Sequence, residues 1–343
     1  MDRVPVIFIE SVARNSSLTT SKGLQQLSSA WGSVGEVQTK KSGRLLLTFA
    51  PYEGGWNIPY DDWRLHYKME GFGHIKTRTL SAEVVKEMAK SITFIKFDFF
   101  YYVEDLYESW NCINPDDIVL PQLLADLDAP EKRLDLIVLE NAIFEDFKYI
   151  ELRSKYSNLF RSFTSVASQC FHNTQLMEDT ISEPKMRSVQ IWDTSDGHRP
   201  TSFWMDYFFS EKCLSLSVKF KDFDIFLGAV DRWKKMDPRT LKYTKILSGS
   251  KKFIKSHVTR AILDSVGIRT IDMEAEAPLF DKVRSKVGRH RIIVSFHCID
   301  HPVDPKSKIY VVICKDRKKH YVKYNHGDIS YGYLYYDIVL VFD

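Results

Sequence analysis

KCLSLSVKFKDFDIFLGAVDRW, residues 212–233, changes its hydrophobic period within a single stretch. Leu214, Leu216 and Val218 alternate with polar neighbours, the period of a strand. Asp222 then offers an N-cap, and Phe223, Phe226, Leu227, Val230 and Trp233 recur at three- and four-residue spacing, the stripe of a helix that Asp237-Pro238 stops. Burying such side chains is worth roughly 1.5–3 kcal/mol each. Ordering the backbone costs about 1–2 kcal/mol per residue, so the stripe must pack to form at all. Strand followed by packed helix is the grammar of α/β structure.

Working outward, Arg187-Ser-Val-Gln-Ile-Trp192 and Leu241-Lys-Tyr-Thr-Lys-Ile-Leu247 open similar units. Val189 to Leu216 and Leu216 to Tyr243 are both steps of 27 residues, a period near that of leucine-rich strand-and-helix repeats. Upstream, Thr93–Tyr101 alternates as a strand, Pro121 opens a short helix over Gln122–Asp126, and Leu134–Leu139 gives the next strand. Further back, Ser81 can cap a helix carrying Val84, Val85, Met88 and Ala89. Trp63, Leu65, Tyr67 and Met69 alternate with Arg64, His66, Lys68 and Glu70 as a half-buried strand, and Arg44–Ala50 reads as its partner across a turn at Gly54-Gly55. Arg289–Cys298, Lys308–Lys315, His320–Tyr324 and Tyr333–Phe342 are β-rich. The expected fold is α/β (α+β), with leucine-rich-repeat-like units flanked by small antiparallel β meanders. Its segments are a helical start (1–40), a meander plus helix (41–90), a repeat-like body (91–280) and a C-terminal antiparallel region (281–343).

Composition bounds the function classes. Apolar residues make up 44% and charged residues 27% of 343, ordinary values for a folded soluble chain. The longest apolar runs, such as Ile338–Phe342, fall far short of the roughly 20 residues of a membrane span. Asp2 and Arg3 cancel, and Val4–Ile9 is too short for the core of an export signal. Five scattered cysteines without a C-x-x-C pair read as reduced thiols, so a cytoplasmic or nuclear location is expected. The net charge is +3 but uneven: residues 98–151 carry 14 acidic side chains against three basic, and residues 232–323 carry 23 basic against nine acidic.

Local chemical motifs are sparse. His297-Cys298-Ile-Asp-His301, with His290 upstream, collects metal-ligand types, but on a strand leading into a proline loop, and reads as strand-end polar residues. Gly71-Phe-Gly73 and Gly32-Ser-Val-Gly35 are fragments of phosphate-loop grammar and read as turns. No G-x-S-x-G elbow occurs, and Asp61-Asp62 and Asp116-Asp117 read as loop acids. We therefore expect no catalytic residue, cofactor or metal. Lys282, Arg284, Lys286, Arg289 and Arg291, with Lys318 and Lys319 beyond and tyrosines nearby, form a basic surface that could meet nucleic acid.

Val4-Pro5 followed by an apolar helix, L-S-S-A-W-G-S-V-G-E-V around Trp31, and F-F-S-E-K-C-L-S-L-S-V with Arg232-Trp233 some twenty residues later, resemble the large nematode-expanded families of F-box-associated proteins. The resemblance implies a non-enzymatic interaction protein whose first helix binds a Skp1-type adaptor through Val4, Pro5, Phe8, Ile9 and Val12. It would serve as substrate receptor of an SCF-type ubiquitin ligase, with an unknown protein target. The alternative for those five residues is that they cap the protein's own core. The alternative functions are nucleic-acid binding and an enzyme whose site is assembled from dispersed residues.

Overall fold

The computed structural model describes residues 4–15, 23–27, 29–51, 63–99, 109–136, 152–168, 179–191, 201–218, 224–252, 267–287, 291–316 and 335–343. The chain divides into two compact units, Met1–Gln169 with Gln175–Met186, and Cys170–Thr174 with Arg187–Asp343. Both are α/β.

In the first unit the elements run α1 (Val6–Asn15), α2 (Ala30–Lys41), β1 (Gly43–Pro51), β2 (Trp63–Gly71), α3 (Ala82–Met88), β3 (Ile92–Phe99), β4 (Asn111–Cys112), α4 (Val119–Asp126), β5 (Lys132–Leu136), α5 (Ser157–Arg161) and β6 (Ser165–Ser168). The sheet order is β6-β5-β3-β1-β2-β4. β6, β5, β3 and β1 are parallel, while β2 and β4 close one edge antiparallel. The 43–80 region is thus joined to the parallel strands, because β1 pairs with β2 on one side and β3 on the other. The Gly54-Gly55 turn lies outside the described residues.

Local signals start the helices. Ser81 caps α3 by accepting from the Val84 N–H at 3.4 Å. Asp117 does the same for α4 with two acceptances at 2.9 Å, from Val119 and Leu120. α4 therefore begins before Pro121, which sits in the first turn, where no N–H is required.

Alternation sorts the sheet into two faces. Leu45, Leu47, Ile95, Phe97 and Leu134 are fully buried, and the rings of Phe160 and Phe163 stand edge-on to Phe97 at 5.4 and 6.0 Å. On the opposite face, register aligns His66, Thr48, Asp98 and Asp135 across four strands, and all four are buried. β2 is therefore covered more fully than the expected half-buried strand.

The second unit contains β7 (Ser188–Ile191), α6 (Thr201–Phe209), β8 (Ser215–Val218), α7 (Asp224–Lys235), β9 (Lys245–Lys252), β10 (Arg269–Thr270), α8 (Ala277–Val287), β11 (Arg291–Asp300), β12 (Lys308–Asp316) and β13 (Tyr335–Phe342). Its order is β7-β8-β9-β13-β12-β11-β10, with β7 to β9 parallel and the rest antiparallel. The C-terminal strands thus continue the parallel ones through the β9–β13 pair.

The quoted stretch folds as its periods require. Leu216 and Val218 are buried on β8, and Phe226, Val230 and Trp233 on α7. Asp222 and Phe223 lie outside the described residues. The 27-residue step holds once, since Val189 pairs with Leu216, but Leu216 then pairs with Leu247, 31 residues on. Tyr243, the expected third repeat position, lies ahead of β9 and is exposed. Asp237 explains the longer step: its side chain caps a 3-10 turn over Pro238–Thr240, which lengthens the connection before β9.

β13 is buried on both faces. Val339 and Val341 meet Val283 and Val287 of α8, while Phe342 meets Phe208 and Trp233 on the other side. Ile338–Phe342 is consequently an unbroken apolar run rather than an alternating one.

Candidate functional site

The first helix is where apolar residues and solvent meet. The Pro5 carbonyl accepts from the Phe8 and Ile9 N–H groups at 3.0 and 3.3 Å, which starts the helix just after a residue that has no N–H to lose. Four consecutive apolar residues, Val6–Ile9, then subtend the whole circumference of α1. α2 packs against it. Ile9 and Ala13, one turn apart, take the inner side at 1% exposure each, which leaves Val6 53%, Ile7 77% and Phe8 54% exposed.

Of the five residues expected on the docking face, Pro5 and Phe8 are exposed, and Val4 and Val12 are partly covered. Ile9 belongs to the core, because i and i+4 residues share a face and Ala13 is buried beneath it. Val6 and Ile7 take its place outside. The signal for them was present in the all-round apolar run of a short helix.

Beside α1 lies a groove of 440 Å³, lined by Glu10 of α1, Val34, Val37 and Lys41 of α2, and Lys90 and Ser91 after α3, among others. Val37 is half exposed, and the Ser91 hydroxyl has no hydrogen-bond partner although the residue is buried. The Glu87 carboxylate on the wall pairs with Arg78 at 2.7 Å, and Glu36 of α2 pairs with Lys40 at the same distance. Lys41 and Lys90 have no carboxylate partner among the described residues.

The other candidates are occupied by structural duties. Gly71 (φ +83°) and Phe72 (φ +48°) form a left-handed turn. Two of its N–H groups are used at once, Phe72 donating to Ser42 O at 3.1 Å and Gly73 to Lys40 O at 2.9 Å, so these two are not available to cradle a phosphate. Gly32-Ser-Val-Gly35 is not a turn but part of α2. His301 accepts at Nδ1 from the Val303 and Asp304 N–H groups, both at 3.2 Å. Its Nε2 therefore carries the hydrogen and donates to the Trp233 and Met236 carbonyls at 3.1 Å, ending α7. His297 stands 3.2 Å from the Thr270 hydroxyl, and burial pushes its imidazole pKa down. No group of three or more metal-ligand side chains gathers among the described residues. His290 and the Asp61-Asp62 pair lie outside them.

The basic surface is partly neutralised. Lys282 and Lys286 of α8 hold the Asp343 carboxylate at 2.5 and 3.0 Å, and Arg291 faces Asp337 at 3.6 Å. Burial alone would raise the Asp343 pKa, but the two lysines hold it below its usual value. The Arg284 guanidinium lies over the Phe280 ring at 5.9 Å. Arg289, Lys318 and Lys319 fall outside the described residues.

A buried charge cluster escaped the sequence reading. The Lys96 ammonium sits between Asp98 and Asp135, at 2.6 and 3.0 Å, and Arg133 reaches Asp135 at 2.5 Å. Desolvation raises the Asp98 pKa against the pull of Lys96. In the same row neither the Thr48 hydroxyl nor His66 Nε2 has a hydrogen-bond partner, and desolvation lowers the His66 pKa. Alternating Lys-x-Asp and Arg-x-Asp on two strands was the visible sign, but only the parallel register brings the two pairs together.

These features define an α/β protein with an open apolar helix and an adjoining groove. No helix among the described residues is long and apolar enough to cross a membrane. Comparison with protein-family models, with curated proteins and with solved structures finds no match to this chain.

Proposed function

We propose that this chain is a non-enzymatic protein-interaction module that docks a partner through α1. In line with its resemblance to F-box-associated proteins, the partner is a Skp1-type adaptor and the chain is the substrate receptor of an SCF-type ubiquitin ligase. The observation that carries the reading is the division of one short helix, with Ile9 and Ala13 anchored inward while Val6, Ile7 and Phe8 stand in solvent. Exposed apolar residues in a contiguous run mark interaction surfaces more often than chance scatter does. The leucine-rich-repeat-like arrangement of the parallel strands belongs to the same proposal, as a scaffold on which a target protein is held.

Nucleic-acid binding is the second reading, and the Asp343 and Asp337 pairings weaken it by occupying Lys282, Lys286 and Arg291. Co-elution of the purified chain with a Skp1-type adaptor tests the first. Wild type forms a complex, and Phe8→Asp, still folded by circular dichroism, loses it. Absence of any complex at micromolar concentrations would refute the adaptor assignment.

A further inference from the structure

We infer that the segment docked on this surface is amphipathic and acidic, which deepens the docking reading above and rests on it. Val6 and Ile7 precede Glu10 by four and three residues, so they lie along the side of α1 that leads into the groove. Val37, half exposed on α2, continues the apolar strip along the groove wall. The chemistry then changes sign. Glu87 and Glu36 are matched by Arg78 and Lys40. What the groove presents unmatched is two lysines, Lys41 and Lys90, against the single Glu10.

Either lysine alone would be explained by its place at a helix C-terminal end, where cations complement the dipole. Both rim one groove, however, and that groove is continuous with uncovered apolar surface. A segment laying leucine-type side chains over Val6, Ile7 and Val37, with carboxylates turned to Lys41 and Lys90, covers the strip and pairs the surplus charge. A basic segment in the same place brings like charges together, which costs complementarity rather than adding it.

The test uses two fluorescein-labelled helical peptides with the same leucine stripe, one with glutamates and one with lysines on its polar face, titrated by anisotropy against the full chain. The glutamate peptide is expected to bind about tenfold tighter, the sum of two modest exposed ion pairs. Ile7→Asp weakens both peptides, and the double variant Lys41→Glu, Lys90→Glu reverses the preference while remaining folded, its melting temperature lowered by only a few degrees through the lost helix-end charges. Equal affinities, a preference that survives charge reversal, or no binding of either peptide overturns the inference. So does a wild-type dimer that Ile7→Asp disperses, which would assign the strip to a second copy of the chain. An adaptor complex lost in Phe8→Asp, combined with no peptide preference, leaves docking standing and removes only the acidic partner. A reversible preference without adaptor binding does the opposite.

Discussion

Lys132 is 5% exposed, and its ammonium donates to the Ala125 and Leu124 carbonyls at 2.6 and 3.3 Å, closing the C-terminal end of α4. Lys245, 2% exposed, does likewise for α6, reaching Ser210 O and Cys213 O at 2.7 Å and Phe208 O at 3.0 Å. Burial, and secondarily the charge of Lys185, push the Lys132 pKa down to about 8 against the pull of Asp126 and Asp128. A lysine whose folded pKa lies below its unfolded one is disfavoured in its charged form. That penalty is complete below about pH 8 and is relieved as pH rises towards the unfolded value near 10.4. Wild type should therefore gain stability relative to Lys132→Met between pH 7.5 and 9.5, by on the order of 1 kcal/mol after allowance for solvent screening. Urea unfolding of both proteins at the two pH values measures it, and parallel pH dependences would show that the ammonium is not desolvated. Neither lysine could be read from the sequence. A lysine at the start of a strand looks solvated, and the carbonyls that hold Lys245 lie 32 to 37 residues away.

The helix α2 depends on a glycine that looks misplaced. Glycine inside a helix costs about 1 kcal/mol relative to alanine, so Gly32-Ser-Val-Gly35 reads locally as a turn. In α2 both glycines are buried, and a Cβ on Gly32 would lie well inside van der Waals distance of the Leu27 carbonyl oxygen. Gly32→Ala should therefore destabilise by about 2 kcal/mol, opposite to the gain that propensity alone gives. Ser33→Ala, on the exposed side of the same helix, should change stability by no more than about 0.5 kcal/mol. Chemical denaturation of the pair decides it, since an alanine at 32 that stabilises would mean that the Leu27 backbone yields freely. Elements whose signals are local were legible: the alternating strands, the Ser81 cap, and the α7 stripe around Trp233. What was not legible depends on approach between segments. For Ile9 the docking face and the protein's own core both stayed open, because four apolar residues in a row carry no phase, and only the packing of α2 selects which side turns inward.

Across the whole molecule, the choice between protein docking and nucleic-acid binding depends on how its basic charge is distributed. The surplus of cations over residues 232–323 is a fact of the sequence, but side-chain pairing decides how much of it is free. Lys282 and Lys286 converge on one carboxylate, Asp343, a contact across 61 and 57 residues that no local pattern announces. The lowered Asp343 pKa keeps that carboxylate charged throughout the neutral range. A group depressed in this way contributes its pairing above the ordinary carboxylate value near 4 and loses it only as pH falls further. Freeing the lysines at neutral pH therefore requires Asp343→Asn. Wild type should bind duplex DNA no more tightly than the micromolar range usual for non-specific contacts at physiological salt. Asp343→Asn should tighten that binding about three- to tenfold at low salt, with a steeper salt dependence as two more cations reach phosphates. Sub-micromolar binding by the wild type, lost in the Lys282→Gln, Lys286→Gln double variant, would reverse the order of the two readings. It would mean that phosphates outcompete Asp343 for the lysines, and that the C-terminal strands rather than α1 carry the recognition surface.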